Sequence, residues 1–283
     1  MTITPPSPSI DIIIRKPDAP FTAFRTRGIG IVDETRLLSQ FDDLQRVIEQ
    51  TGAHLSSLPP QENLPYASAV GTCAFVTEYM ALIAHHGADH ARQDEARALV
   101  QLLAPHKFLK FIAYPGLLDC TDIVRINRQI FIGLSRRTNQ EGAAQAAFHL
   151  TEAGFHVSLI EPRLGDDITL SSLITALDEK TILIRPELAR HYAFLNFERL
   201  ITAFDEKSAT QALVLGKNVI LPHGCPLTQA ELGARDFNVH VVTLSEFEKM
   251  GIYLRDLTLY IPPSQTVRET IRLQKNTADR FAA

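Results

Sequence analysis

The residues with reactive or ligand-holding side chains fall in three short stretches and at three cysteines. In "YLRDLTLYI" Arg255 and Asp256 stand side by side in a segment that, from Ile252 on, reads as a terminal β-strand. Side chains alternate faces along a strand, so the two charges cannot share one solvated face. Asp256 could then contact a ligand, act as a general base, or pair inside the fold. "AHHGADH" brings His85, His86 and His90 together, and His86 and His90 would share a helix face at i,i+4. A metal there would need Asp119, Asp122 or Asp256 as further ligands, so a solvated loop feeding a helix is the plainer reading and no metal is expected. "SRRTN" carries Arg136 and Arg137. The guanidinium of Arg137 is a planar fork that fits a carboxylate, and its plain role is to bond loop carbonyls beneath the turn. Cys73, Cys120 and Cys225 form no CxxC pair and have no basic neighbour in sequence to lower a thiol pKa, so they read as structural.

Composition removes several classes of function. The chain has 283 residues, 45% hydrophobic and 21% charged, as in an ordinary globular enzyme. A net charge of -4 leaves no electrostatic footprint for nucleic acid or an anionic membrane, and no apolar run reaches the length of a membrane span. The N-terminus lacks a basic region followed by an apolar one, and an odd number of cysteines argues against a disulfide framework. A cytoplasmic α/β protein without a cofactor is expected.

The elements that must position these residues recur along the chain. A short apolar strand, a polar break, an amphipathic helix and a second strand begin in turn at Gly28, Ala81, Ile130, Thr181 and Asn218. Between these phrases lies another strand-like piece: "CAFVTE", "DIVRIN", "SLITAL" and "ALVLG", with "LRDLTLYI" or "DIIIRKP" completing the set. Starts fall roughly 40 to 50 residues apart, the spacing of repeat architectures. Such units cannot each bury an apolar face alone, whereas a ring of them can. A doubly wound open sheet would leave the extra strand of every unit without a place. The expected fold is one closed domain of five ββαβ units over residues 1–283, with 1–10 and 264–283 as peripheral ends.

"FIGLSRRTNQEGA", Phe131 to Ala143, resembles the signature of dimethylarginine dimethylaminohydrolases, members of the pentein or amidinotransferase-fold superfamily. "LLDCTDIV", "LVLGKNVILPHGCPLTQAEL" and "SEFEKMGIYLRDLTL" are similar to further family segments in the same order, so the likeness runs from about Ile12 to Ile261. The resemblance implies a five-fold α/β propeller around a central channel. It also implies a chemistry in which a cysteine thiolate attacks a guanidinium carbon, a histidine handles protons, carboxylates hold the cation and arginines clamp the substrate carboxylate.

Carried over position by position, that chemistry is incomplete here. The nucleophile position falls on Asp256 and the histidine position on Thr169 in "ITLSS". The carboxylate-bearing segment reads "AVGT", leaving Gly71 and Thr72, and an expected arginine is His85. Asp119, with Asp122 behind it, and Arg137 keep the acid and clamp positions. The expectation is a repurposed, non-catalytic member that binds a small amino-acid-like ligand through Arg137, Asp119, Asp122 and Asp256, with Thr169, His85 and Thr72 lining the pocket. The alternative is a non-covalent acid–base enzyme on a small amino-acid-related substrate using Asp119, Asp122 and Asp256. A third reading is a scaffold whose channel is plugged by Tyr253 or Tyr66. At the protein level, a homodimer or pairing with an active homologue would fit.

Overall fold

The computed structural model describes residues 11–18, 30–62, 64, 66–87, 90–161 and 168–262. The two peripheral ends, and the Gly28–Ile29 start of the first phrase, lie outside the described residues. Strands β1 (Asp11–Arg15) and β2 (His54–Leu58) flank helix α1 (Glu34–Gln50). Next come β3 (Ala74–Val76), β4 (Met80–Ile83), α2 (His90–Leu103) and β5 (Phe108–Phe111). The third unit is β6 (Ile123–Ile126), β7 (Gln129–Gly133), α3 (Gln140–Glu152) and β8 (His156–Ile160). Strands β9 (Ile174–Ala176), β10 (Thr181–Ile184) and β11 (Glu198–Ile201) follow. The last unit is β12 (Leu213–Leu215), β13 (Asn218–Pro222), α4 (Pro226–Ala234) and β14 (Asn238–Val242). Helices α5 (Ser245–Lys249) and α6 (Leu254–Leu257) then lead to β15 (Leu259–Ile261).

These strands form five three-stranded sheets, each with an antiparallel inner pair and a parallel outer pair. The ring closes because the last strand joins the first: β15 runs antiparallel to β1, pairing Ile12 with Tyr260. Period-2 alternation makes the ring cohere, since each middle strand sends successive side chains into opposite junctions. Ile12 and Ile14 pack with Leu213 and Ile220 of the fifth sheet, whereas Ile13 packs with Val76 and Ala81 of the second. Likewise Ile182 and Ile184 face the third sheet while Leu183 faces the fifth. The apolar core is thus divided among the junctions between neighbouring sheets.

A short helical turn precedes every inner strand: Val70–Thr72, Cys120–Asp122, Leu170–Ser172, Ala209–Gln211 and α6. These turns form a circle around the axis; Thr72, Asp119, Asp122, Thr169 and Asp256 sit on them or just before them, whereas His85 and Arg137 follow the middle strands β4 and β7.

Three sequence expectations are corrected. The strand expected to open the first phrase is not formed in its described part: residues 30–33 are irregular, Ile31 is exposed, and Asp11–Arg15 takes the strand position. The fourth unit has no α-helix among its described residues. Pro186, two residues after β10, disfavours helical backbone at Arg185, and the His191 ring accepts from Ala193 N at 3.3 Å, closing a local turn over Tyr192–Phe194 instead. The segment expected to be a terminal strand from Ile252 is a strand only over Leu259–Ile261; before that it makes a single helical turn over Leu254–Leu257. Its capping box, in which the Asp256 carboxylate accepts from Tyr253 N at 2.8 Å, overrides the strand propensity.

Gly142 shows how tightly α3 is seated. A Cβ there would lie 1.9 Å from the Leu117 carbonyl oxygen, so only glycine admits the approach. Helix propensity alone would reward Gly142→Ala by about 1 kcal/mol. Overpacking should reverse the sign, with a net loss of about 1–3 kcal/mol and a lower Tm in thermal melts.

Candidate functional site

The "SRRTN" stretch works as a positioning device. Ser135 Oγ and Thr138 Oγ1 donate to Asp122 Oδ2 at 2.6 and 2.7 Å, and Leu170 N donates to Asp122 Oδ1 at 2.9 Å. Asn139 caps α3 through Gly142 N at 2.8 Å and also ties down Leu117 N at 2.8 Å and the Pro115 carbonyl at 2.9 Å. With its neighbours so fixed, Arg137 is presented to Asp119, Nη1 to Oδ2 at 3.0 Å. The other Asp119 oxygen accepts from Thr121 N and Thr121 Oγ1 at 2.9 and 2.6 Å.

Arg137, Arg136, Asp119, Asp256, Thr72, His86, Arg92 and Tyr66 converge on a cavity of about 290 Å³ on the side of the turn circle away from the inner strands. Arg92 and its supports were not legible as a site. Arg92 pairs with the buried Glu95, donates to Thr72 Oγ1 at 2.7 Å, and lies over the Tyr66 ring at 5.3 Å. Glu95 also accepts from Tyr66 N at 2.8 Å. The sequence signal was an i,i+3 charge pair, but Asp94 and Arg97 have the same spacing and are exposed.

Of the expected ligand residues, Asp119, Arg137, Asp256 and Thr72 line the cavity, whereas Asp122, Thr169 and His85 do not. Asp122 is fully buried, with its acceptors taken by Ser135, Thr138 and Leu170, and it ties three segments together. Thr169 is buried at the start of a turn, 3.4 Å from Ser171 Oγ. His85 Nδ1 is 2.7 Å from the Gly116 carbonyl. His85 and His86 precede α2, so the helix face expected to join His86 and His90 does not exist. Among the described residues no cluster of three or more His, Cys, Asp or Glu is placed to hold a metal.

Electrostatics divides the cavity groups. Burial pushes the Asp256 carboxyl up to about 6, with Arg137 opposing and Asp119 reinforcing. Burial acts the same way on Asp119, but Arg137, His86 and the Thr121 hydrogen bonds outweigh it and hold this carboxyl below its ordinary value. Burial, then Arg92, pushes His86 down to about 4, which leaves the imidazole neutral at pH 7. All three cysteines are buried outside the cavity, with thiol pKa values raised by burial. Gly71 cannot carry a side chain here: a Cβ would stand 2.2 Å from the Arg255 carbonyl oxygen and 2.6 Å from that of Thr258.

Five sheets closed into a ring, each entered through a turn at the axis, define a pentein. No family model matches the chain. It is 27% identical over 225 residues to the N(G),N(G)-dimethylarginine dimethylaminohydrolase of Pseudomonas aeruginosa, covering 78% of this chain and 87% of that one. The Streptomyces coelicolor enzyme of the same name is 24% identical over 219 residues, 77% of this chain and 83% of its own. A Pseudomonas aeruginosa enzyme variant complexed with citrulline superposes with a TM-score of 0.82 at 24% identity, over 88% of this chain and 98% of that one. The substrate-bound N-terminal domain of the cyanobacterial arginine dihydrolase ArgZ gives 0.79 at 16%, over 90% and 99%. The chain thus has the pentein fold and is similar in sequence to dimethylarginine dimethylaminohydrolases. No helix among the described residues is long and apolar enough to cross a membrane.

Proposed function

We propose that this dimethylarginine dimethylaminohydrolase-like pentein has lost covalent guanidine hydrolysis and binds a small amino-acid-like ligand in the 290 Å³ cavity. The observation that carries the reading is the charge pattern: guanidinium groups of Arg92, Arg136 and Arg137 share the cavity with Asp119 and Asp256. A zwitterion with a second cationic end complements such a wall, its carboxylate toward the arginines and its cation toward Asp256. The absence of any cysteine from the cavity lining supports the loss of the covalent step, because a carboxylate is a poor nucleophile toward a guanidinium carbon. Calorimetric titration with arginine, methylarginines, ornithine, agmatine and citrulline tests the binding. A saturable response to at least one amino acid, weaker for agmatine, which lacks the carboxylate, is expected. Silence across the panel would remove the proposal.

A second reading is favoured by the opposed shifts of Asp119 and Asp256, since carboxyls driven apart in pKa can serve as base and acid. Asp122 has no part in it, being sealed behind the turn circle. On this reading Asp119→Asn and Asp256→Asn each abolish turnover of an amino-acid-related substrate while the protein stays folded.

A further inference from the structure

The pseudo-symmetry makes corresponding turn residues comparable, and one of them breaks the pattern. At the middle of the first four turns stand Gly71, Thr121, Ser171 and Thr210, all small; in α6 the same place holds Arg255. Asp256, the next residue, lines the cavity already described, but Arg255 does not. Arg255 lines a second space of about 450 Å³, on the other side of the turn circle, where the inner strands β3, β6, β9, β12 and β15 surround the axis.

This channel runs from the turns toward the hairpin ends of the inner strands. Its walls include Ala74, Val76, Ile123, Val214 and Leu259. At the hairpin end two of the three acidic groups, Glu78 and Asp178, are engaged with local donors, and the third, Glu179, is exposed at the rim. Glu78 receives Arg125 through two hydrogen bonds at 2.9 and 2.8 Å, and Asp178 accepts from Lys180 N and Thr181 N at 2.8 and 2.7 Å. At the turn end Thr121 donates to Asp119 and Thr258 to the Leu254 carbonyl. The Arg255 guanidinium makes neither a hydrogen bond nor an ion pair among the described residues. The one charge that acts on it is Asp256, whose carboxylate is committed to the Tyr253 amide. The half-buried guanidinium on this wall has no bonded counter-charge, and an anion in the channel would supply one.

We propose that Arg255 and the channel form a second binding site for a small carboxylate with a short aliphatic tail, its head group on the guanidinium and its tail along the apolar wall. The site is independent of the amino-acid cavity: it uses the opposite face of α6 and a different arginine. Occupancy would place two ligands on either side of one helical turn, with Asp256 and Arg255 as their respective contacts.

The experiment is a calorimetric titration of the full chain with formate and with butyrate at constant ionic strength, on the wild type, Arg255→Met and, as a control for loss of a surface arginine, Arg46→Met on α1. The wild type should bind butyrate saturably and more tightly than formate. Arg46→Met should bind it as the wild type does, and Arg255→Met should lose about tenfold or more, as expected for removal of a charged hydrogen-bond donor. Equal butyrate affinity in Arg255→Met and wild type, or no binding to the wild type, overturns the proposal. Should Arg255→Met fail to fold, bromide-soaked crystals of the wild type decide it. An anomalous peak within hydrogen-bond distance of the Arg255 guanidinium is expected, and its absence at saturating bromide refutes the site.

Discussion

Asp256→Asn should make the protein more stable at pH 7 while abolishing binding of any cationic ligand end. Asp256 is buried with its carboxyl pushed up to about 6, so at pH 7 the native state carries a charge that the unfolded state holds more easily. Asparagine removes the charge and keeps an oxygen for the Tyr253 amide that caps α6. The sign follows from linkage: an acid whose native pKa is raised lowers stability at pH values above that pKa, and the penalty disappears below its ordinary value of 3.8. The variant's advantage, on the order of 1–3 kcal/mol, should therefore be full above pH 6 and vanish below about pH 4. Denaturant melts of both proteins across this range measure it. In parallel, wild-type affinity for a cationic amino acid should fall as pH drops through about 6, because the proton and the ligand compete for the same carboxylate. A gain in stability coupled to loss of binding marks a group retained for function rather than for the fold.

Arg92→Met carries the second large effect, with the opposite sign for stability. Arg92 neutralises Glu95, whose side chain is inaccessible, and Glu95 in turn holds the Tyr66 amide at 2.8 Å. Breaking a buried pair by removing one partner leaves an uncompensated charge, which costs about 3–5 kcal/mol. The loss should appear as a lower denaturation midpoint, and Tyr66 and Thr72 should lose their places at the cavity wall. Arg92→Met with Glu95→Gln should recover much of the stability but none of the carboxylate binding. That split separates the guanidinium's role in the fold from its role toward a ligand.

The ring was legible because repeats announce themselves as alternating apolar strands whose faces must all be buried, and the junction cores follow that alternation. Arg137 and Asp119 were legible because "SRRTN" and "LLDCTDIV" resemble family segments. Arg92 was hidden because nothing local distinguishes its pair with Glu95 from the exposed Arg97–Asp94 pair two residues on; burial, set by Tyr66 and the turn at Thr72, decides between them. Asp122 misled for the complementary reason. Two aspartates three residues apart look alike in sequence, yet the turn over Cys120–Asp122 sends one to the cavity and the other among Ser135, Thr138 and Leu170. Arg255 and Asp256 raised the right question within the wrong element. Their divergence is that of neighbours on a helical turn, not of alternating residues in a strand.

The central claim is that the cavity keeps the capacity to bind and has lost the covalent step. Proton NMR of the protein mixed with excess dimethylarginine reports both at once. Saturation transferred from protein to ligand should be present and should be lost in Asp256→Asn, while the ligand signals keep their intensity over hours and no dimethylamine resonance grows. Growth of dimethylamine would contradict the loss of hydrolysis, and absence of saturation transfer to dimethylarginine and to every amino acid of the panel would contradict the binding.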